Sequence, residues 1–413
     1  MGAEGWRKEI TFLTSILVIS LIIIPPHATD SVSKVKLTLW YSWRGDVAKA
    51  LKEAVMAFEK LEPEAMVELH YIPINELKAR LLYFLSQGKG PDLFLGPHIW
   101  IGELASKGAL LSLNELFTKE LRGKFLRTAI DAATYKGLVY GVPILIEVPT
   151  LWYHVDLVEV PPQTLDDLFS LMWKFKLFYD NKVYAFVYNV KDPYISSCWF
   201  NSLGAYFFNP KNMTSNVGSP EGVKAFTIVA NIGKYMPSGV DDESVLKLFI
   251  NRRAAMIIYG PQAIAKIAGK YEIPDEVNLT LIPKVDKNWG APYMSVECAF
   301  LTKSAGRRGS TSLAFKLAYF LGSRGAIILA KRALCVPAYK PALRIPGIGD
   351  NVVIRAFFEQ AKHALPAPNL PLIYGILNVT SYYLGRVWGG AMRPKEAATA
   401  LQAALMREIR AGN

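Results

Sequence analysis

Residues 35–40 (VKLTLW) alternate apolar and polar side chains, the period of a strand with one buried face. The apolar spacing then lengthens. Val47, Leu51, Val55 and Phe58 fall on one stripe, which predicts a helix with Asp46 as its N-cap. Residues 67–72 read as a second strand. Leu77, Leu81 and Leu85 mark a second helix that ends near Gly88, and residues 92–95 follow as a third strand. Strands that alternate with helices predict an α/β fold of mainly parallel sheets, because each helix must bury its stripe against a sheet face. Ligands of such folds bind beyond the carboxyl ends of the strands.

The pattern changes character further on. Pro161 and Pro162 precede Thr164, Leu165 and Asp166, the punctuation that opens a helix, and residues 254–259 (AAMIIY) form an apolar strand running into Gly260-Pro261. Another apolar strand covers 296–301, and Pro366, Pro368 and Pro371 mark an irregular stretch before a helical C-terminus. No repeat or low-complexity tract interrupts this organisation.

At the N-terminus, Trp6-Arg7-Lys8 flanks an apolar run over residues 10–24. Fifteen residues rise about 22 Å as a helix, short of the roughly 30 Å hydrocarbon core. The segment 1–28 therefore reads as a secretion signal, either cleaved or kept as a membrane anchor. No other long apolar run is apparent. Lipid attachment needs a cysteine just after the run, and the first cysteine is Cys198.

Composition fits an exported globular protein of two domains: 51% of the 413 residues are hydrophobic and 12% aromatic. Cys198, Cys298 and Cys335 allow one disulfide at most and lack metal-ligand spacing, so they read as buried thiols. The net charge of +12 suits an anionic membrane surface or an acidic ligand, but Lys and Arg are scattered, the pattern of a solvated basic surface. No H-E-x-x-H, G-x-S-x-G, phosphate loop or C-x-x-C occurs. Gly347-Ile348-Gly349 lacks the third glycine of a dinucleotide loop and reads as a turn. No catalytic residue, metal site or cofactor is predicted, and no nucleic-acid partner.

Residues 91–115 (PDLFLGPHIWIGELASKGALLSLNE), the hairpin and strand over 131–158, and the NVKDPY segment at 189–194 carry a resemblance. They resemble the extracellular solute-binding proteins of ABC importers, specifically the maltose-binding type. The resemblance extends from Leu37 to about Glu408. It implies a two-lobed fold with a ligand cleft between the lobes, residues 34–144 and 297–346 forming one lobe and 147–294 and 349–413 the other. It also implies a monomer outside the cell, membrane-attached if its N-terminal segment is uncleaved, that captures a carbohydrate and delivers it to permease subunits.

Carried onto this sequence, the resemblance implies ligand contacts at Trp40, Trp43 and Arg44 after the first strand, and at His98 and Trp100 after the third. Glu147 stands at the hinge, Asp192 and Tyr194 in the second lobe, and Gln262 and Asn378 replace or adjoin aromatic platforms of the family. Ile99 and Trp100 stand where maltose-binding proteins carry an Asp-Arg pair. The hinge itself is expected at 146–148 and 293–295. An alternative ligand in the same fold is an ion or small anion such as ferric iron, suggested by the adjacent Tyr382 and Tyr383 and by the basic charge.

Overall fold

The computed structural model describes residues 34–210 and 212–411, so the segment read as a signal or anchor lies outside the described residues. Among the described residues, twelve strands follow in chain order: β1 Val35–Tyr41, β2 Ala65–Tyr71, β3 Leu93–Pro97, β4 Thr134–Tyr135, β5 Leu138–Val139, β6 Gly141–Glu147, β7 Thr150–His154, β8 Tyr184–Val187, β9 Ala254–Tyr259, β10 Val277–Thr280, β11 Tyr293–Leu301 and β12 Leu365–Pro366.

The alternation in β1 buries Leu37, Leu39 and Tyr41 on one face. β1 pairs in parallel with β2, Val35 opposite Ala65 through Tyr41 opposite Tyr71, and in parallel with β3 on its other side. The next neighbour, β11, runs antiparallel to β3 and also antiparallel to β6, and its first two residues pair with β12. This makes the first sheet. The second has the order β10-β7-β9-β8, with β8 and β9 parallel and both other pairings antiparallel. Strand directions are thus more mixed than the alternation of strands and helices predicts. The reason is that β6, β7 and β11 belong to chain crossings between the sheets and return against their neighbours.

Helices cover both sheets. Gly45–Leu61 buries Ala50, Leu51, Ala54, Val55 and Phe58, close to the predicted stripe, and packs on Ala326–Ala333. Its N-cap is Arg44, with no side-chain cap; Asp46 sits inside the first turn and holds Lys49 at 2.9 Å, so the capping role expected of Asp46 is not observed. Leu165–Tyr179 opens on a reciprocal capping box between Thr164 and Asp167. Pro220–Gly233, Ile373–Trp388 and Pro394–Ala411 pack on one another.

The stretch Thr311–Ala333 is helical, long and apolar enough to cross a membrane, a second such run that the sequence reading passes over. It is a core element here, because 72% of its apolar window is buried inside the protein. Its turn at Leu321–Gly325 widens where Gly322 meets β6: a Cβ there would stand 2.7 Å from the Pro143 carbonyl. Cys198 and Cys298 are buried thiols, Cys335 is partly buried, and all three are free.

Candidate functional site

β6 ends at Glu147, Val148 and Pro149 carry the chain out of the first sheet, and Thr150 begins β7 in the second. The return crossing lies beside it, since Ser295 of β11 pairs with Glu147. At this junction the protein opens a cavity of about 270 Å³. The crossing segments contribute Glu147, Val148, Pro149 and Ser295; Asp192, Tyr194, Asp242, Tyr259, Gly260, Pro261 and Gln262 complete the lining.

Each carboxyl has a structural reason for its position. Asp192 is the N-cap of the helix Pro193–Ser202, accepting the Tyr194 N–H at 2.8 Å, with Pro193 preset for the first helical turn. Burial, opposed by that hydrogen bond and joined by the charge of Asp242, pushes its carboxyl up to about 6. Asp242 lies in the first turn of Asp242–Ile250 and accepts from Asn189 Nδ2 at 3.0 Å. Glu147 is exposed at the cavity, and the protein packed around its carboxyl raises it above the ordinary range.

Glu297, two residues beyond Ser295, lies diagonally across the β6–β11 pair from Glu147 on the same face. It is 8% exposed, and burial together with the Glu147 charge pushes it up to about 8. Trp43 Nε1 donates to Glu297 Oε2 at 3.3 Å. Among the described residues, neither Lys, Arg nor His lines the cavity, in a chain whose net charge is +12. The cleft is an acidic, tyrosine-bearing pocket in a basic protein. Such a lining offers hydrogen-bond acceptors and flat ring faces.

Of the expected contact residues, Glu147, Asp192, Tyr194 and Gln262 come together around this cavity, and Trp43 approaches it through Glu297. The others are held elsewhere. Trp40 packs edge-on against Phe84 of the helix Ile74–Ser86, ring centroids 5.6 Å apart. Arg44 lies over the Tyr71 ring, 5.3 Å from its centroid, and donates to the Tyr71 hydroxyl. His98 is fully buried: Nδ1 accepts the Val296 N–H at 3.1 Å, so Nε2 carries the proton it donates to the Ala367 carbonyl at 2.8 Å. Burial pushes its imidazole down to about 4, which keeps it neutral. Both ring nitrogens are thus committed to backbone, and His98 fastens β3, β11 and the segment after β12 where a ligand contact was expected.

Trp100 is also buried, beneath Gly96, and donates to the Tyr374 hydroxyl at 2.9 Å. Tyr374 is itself 44% exposed and is overlain by Lys78 Nζ at 4.7 Å. Asn378 is exposed one helical turn beyond it. Tyr382 and Tyr383 pack on each other, and Tyr382 lines a separate cavity with Lys191 and Arg386.

Glu297, Asp242 and Tyr374 were not among the expected contact residues. Only Glu297 carried a legible signal, a lone acid inside the apolar run YMSVECAFL.

The profile of the family described as bacterial extracellular solute-binding protein matches residues 42–294. The maltotriose-binding protein of Pyrococcus abyssi is 26% identical over 364 residues, 86% of this chain and 75% of its own length. The galactooligosaccharide-binding protein of Bacillus subtilis is 25% identical over 395 residues, 90% of each chain. In three dimensions, a cyclo/maltodextrin-binding protein complexed with maltotetraose superposes with a TM-score of 0.82 at 24% identity, covering 91% of this chain and 97% of that one. The maltose-binding periplasmic protein MalE from Listeria monocytogenes, in complex with maltose, gives 0.80 at 19% identity, covering 93% and 100%. The two-lobed architecture is therefore a shared fold.

Proposed function

The chain belongs to the family of bacterial extracellular solute-binding proteins, and from that premise we propose that it captures a short oligosaccharide of the maltodextrin class and hands it to the permease of an ABC transporter. The observation that carries this reading is the acidic, tyrosine-bearing cavity where the crossing strands of the two sheets meet. Sugar hydroxyls donate to carboxylates, and sugar ring faces stack on aromatics. Glu147 at the hinge and Asp192 in the second lobe serve as acceptors, Tyr194 and Trp43 as apolar faces, and Gln262 as a further polar contact. Relatives named for maltotriose and galactooligosaccharides support the ligand class.

The lobes are assigned as 34–144 with 297–346 and 147–294 with 349–413. The protein acts outside the cell as a monomer without covalent chemistry, attached to the membrane if its N-terminal segment is retained. Titration calorimetry of the purified protein with maltotriose, a galactooligosaccharide and Fe(III) tests the reading. Saturable binding of maltotriose is expected; saturable binding of Fe(III) with neither saccharide bound would overturn it.

A further inference from the structure

Glu297 is the one charged side chain in β11, the strand through which the chain returns from the second lobe to the first. A carboxyl so enclosed is costly to ionise unless a cation pairs with it. None does. From β6 it meets Glu147, and from the loop after β1 the Trp43 N–H. Beside it in the strand stands the Cys298 thiol. The Cys335 thiol and the Tyr194 hydroxyl feel Glu147 rather than Glu297, and the neighbouring His98 is neutral.

We propose that Glu297 is a positioning residue for the ligand cleft: it fixes the Trp43 indole by accepting its N–H and holds the single proton of the Glu147–Glu297 pair, so that Glu147 meets the ligand as a carboxylate. The inference rests on the oligosaccharide reading of the same cleft. Two carboxyls on neighbouring strands cannot both ionise cheaply, and they titrate as a pair. The charge settles on Glu147, which opens to cleft water, and the proton on Glu297, which is walled off. The indole is thereby tied to the hinge strand before any ligand arrives.

Loss of that proton places a second negative charge beside Glu147, opposite Asp192 and Asp242, with no lining cation to offset it. Closing the lobes over a ligand then becomes harder. Affinity accordingly falls as pH rises through the upper titration of the pair.

The test has a ligand-free arm and a binding arm. In the apo protein the Trp43 indole N–H resonance, assigned with Trp43→Phe, is followed by NMR from about pH 6 to about pH 9.5. It shifts with a midpoint near about 8 in the parent and stays fixed in Glu297→Gln, whose amide oxygen still accepts the indole N–H. A resonance that does not move, or moves equally in both proteins, overturns the proposal.

In the binding arm, maltotriose affinity weakens at least about threefold between pH 7 and pH 9 in the parent, about 0.7 kcal/mol at 1.4 kcal/mol per tenfold, and loses this step in Glu297→Gln. Identical profiles overturn the proposal even if both proteins bind. A parent that binds no maltotriose counts against the oligosaccharide reading alone, and the indole titration still decides the role of Glu297.

Discussion

Asp192 accepts the Tyr194 N–H as a helix cap while its carboxyl lines the cavity, so a substitution there acts on stability and on binding together. A hydrogen bond to a charged group is worth about 1.5–3 kcal/mol, and an N-cap about 1 kcal/mol. Asp192→Ala is therefore expected to weaken maltotriose binding about tenfold to a hundredfold and to lower the melting temperature. Asp192→Asn keeps a capping oxygen and loses the charge, so calorimetry and thermal melts on the two variants separate the contributions. Because the Asp192 carboxyl titrates near about 6, parental affinity also falls as the carboxylate is protonated below that pH. Glu297 makes stability itself depend on pH. Its folded-state value is raised, so the folded protein holds this proton more tightly than the unfolded chain does. That contribution is complete below the ordinary glutamate range and is lost as pH rises through about 8. Thermal melts from about pH 5 to about pH 9 are expected to show a falling melting temperature in the parent and a shallower fall in Glu297→Gln.

At the level of elements, β1, β2 and the helix between them were legible because period-two and period-3.6 patterns are local properties of the chain. The partners of β11 were not. Its apolar run suits any buried strand, and only packing determines that it lies between β3 and β6 with β12 at its start. His98 illustrates the same limit. Its place after β3, next to an expected ligand loop, suggested a contact, whereas the fold brings Val296 and Ala367 to its two nitrogens. His98→Ala leaves a buried N–H and a buried carbonyl unpaired, a loss of about 1–3 kcal/mol per group. It is expected to lower the melting temperature clearly while maltotriose affinity changes less than in Asp192→Ala, as measured on the folded fraction.

For the molecule as a whole, the first crossing at Val148 and Pro149 and the paired entry of β11 and β12 at Tyr293 and Met294 lie together beside the cavity. Thin connections at one side of a cleft permit hinge closure around a ligand. Small-angle scattering is expected to show a smaller radius of gyration at saturating maltotriose than without it; an unchanged radius would argue against closure. Ligand at about a hundred times its dissociation constant should also stabilise the folded state by about 2.7 kcal/mol, read as a rise in melting temperature.

The sequence by itself determined the α/β class, the buried stripes, the N-terminal export segment as an expectation, and the resemblance that pointed to Glu147, Asp192, Tyr194 and Gln262. These depend on local periodicity and on short motifs. Only the tertiary structure decided which tryptophans remain reachable. Trp40 and Trp100 are covered by a helix and by Tyr374, and Trp43 is tied to Glu297 from 254 positions away. Exposure and proton affinity are set by what the fold packs around a side chain, which its neighbours in sequence do not specify.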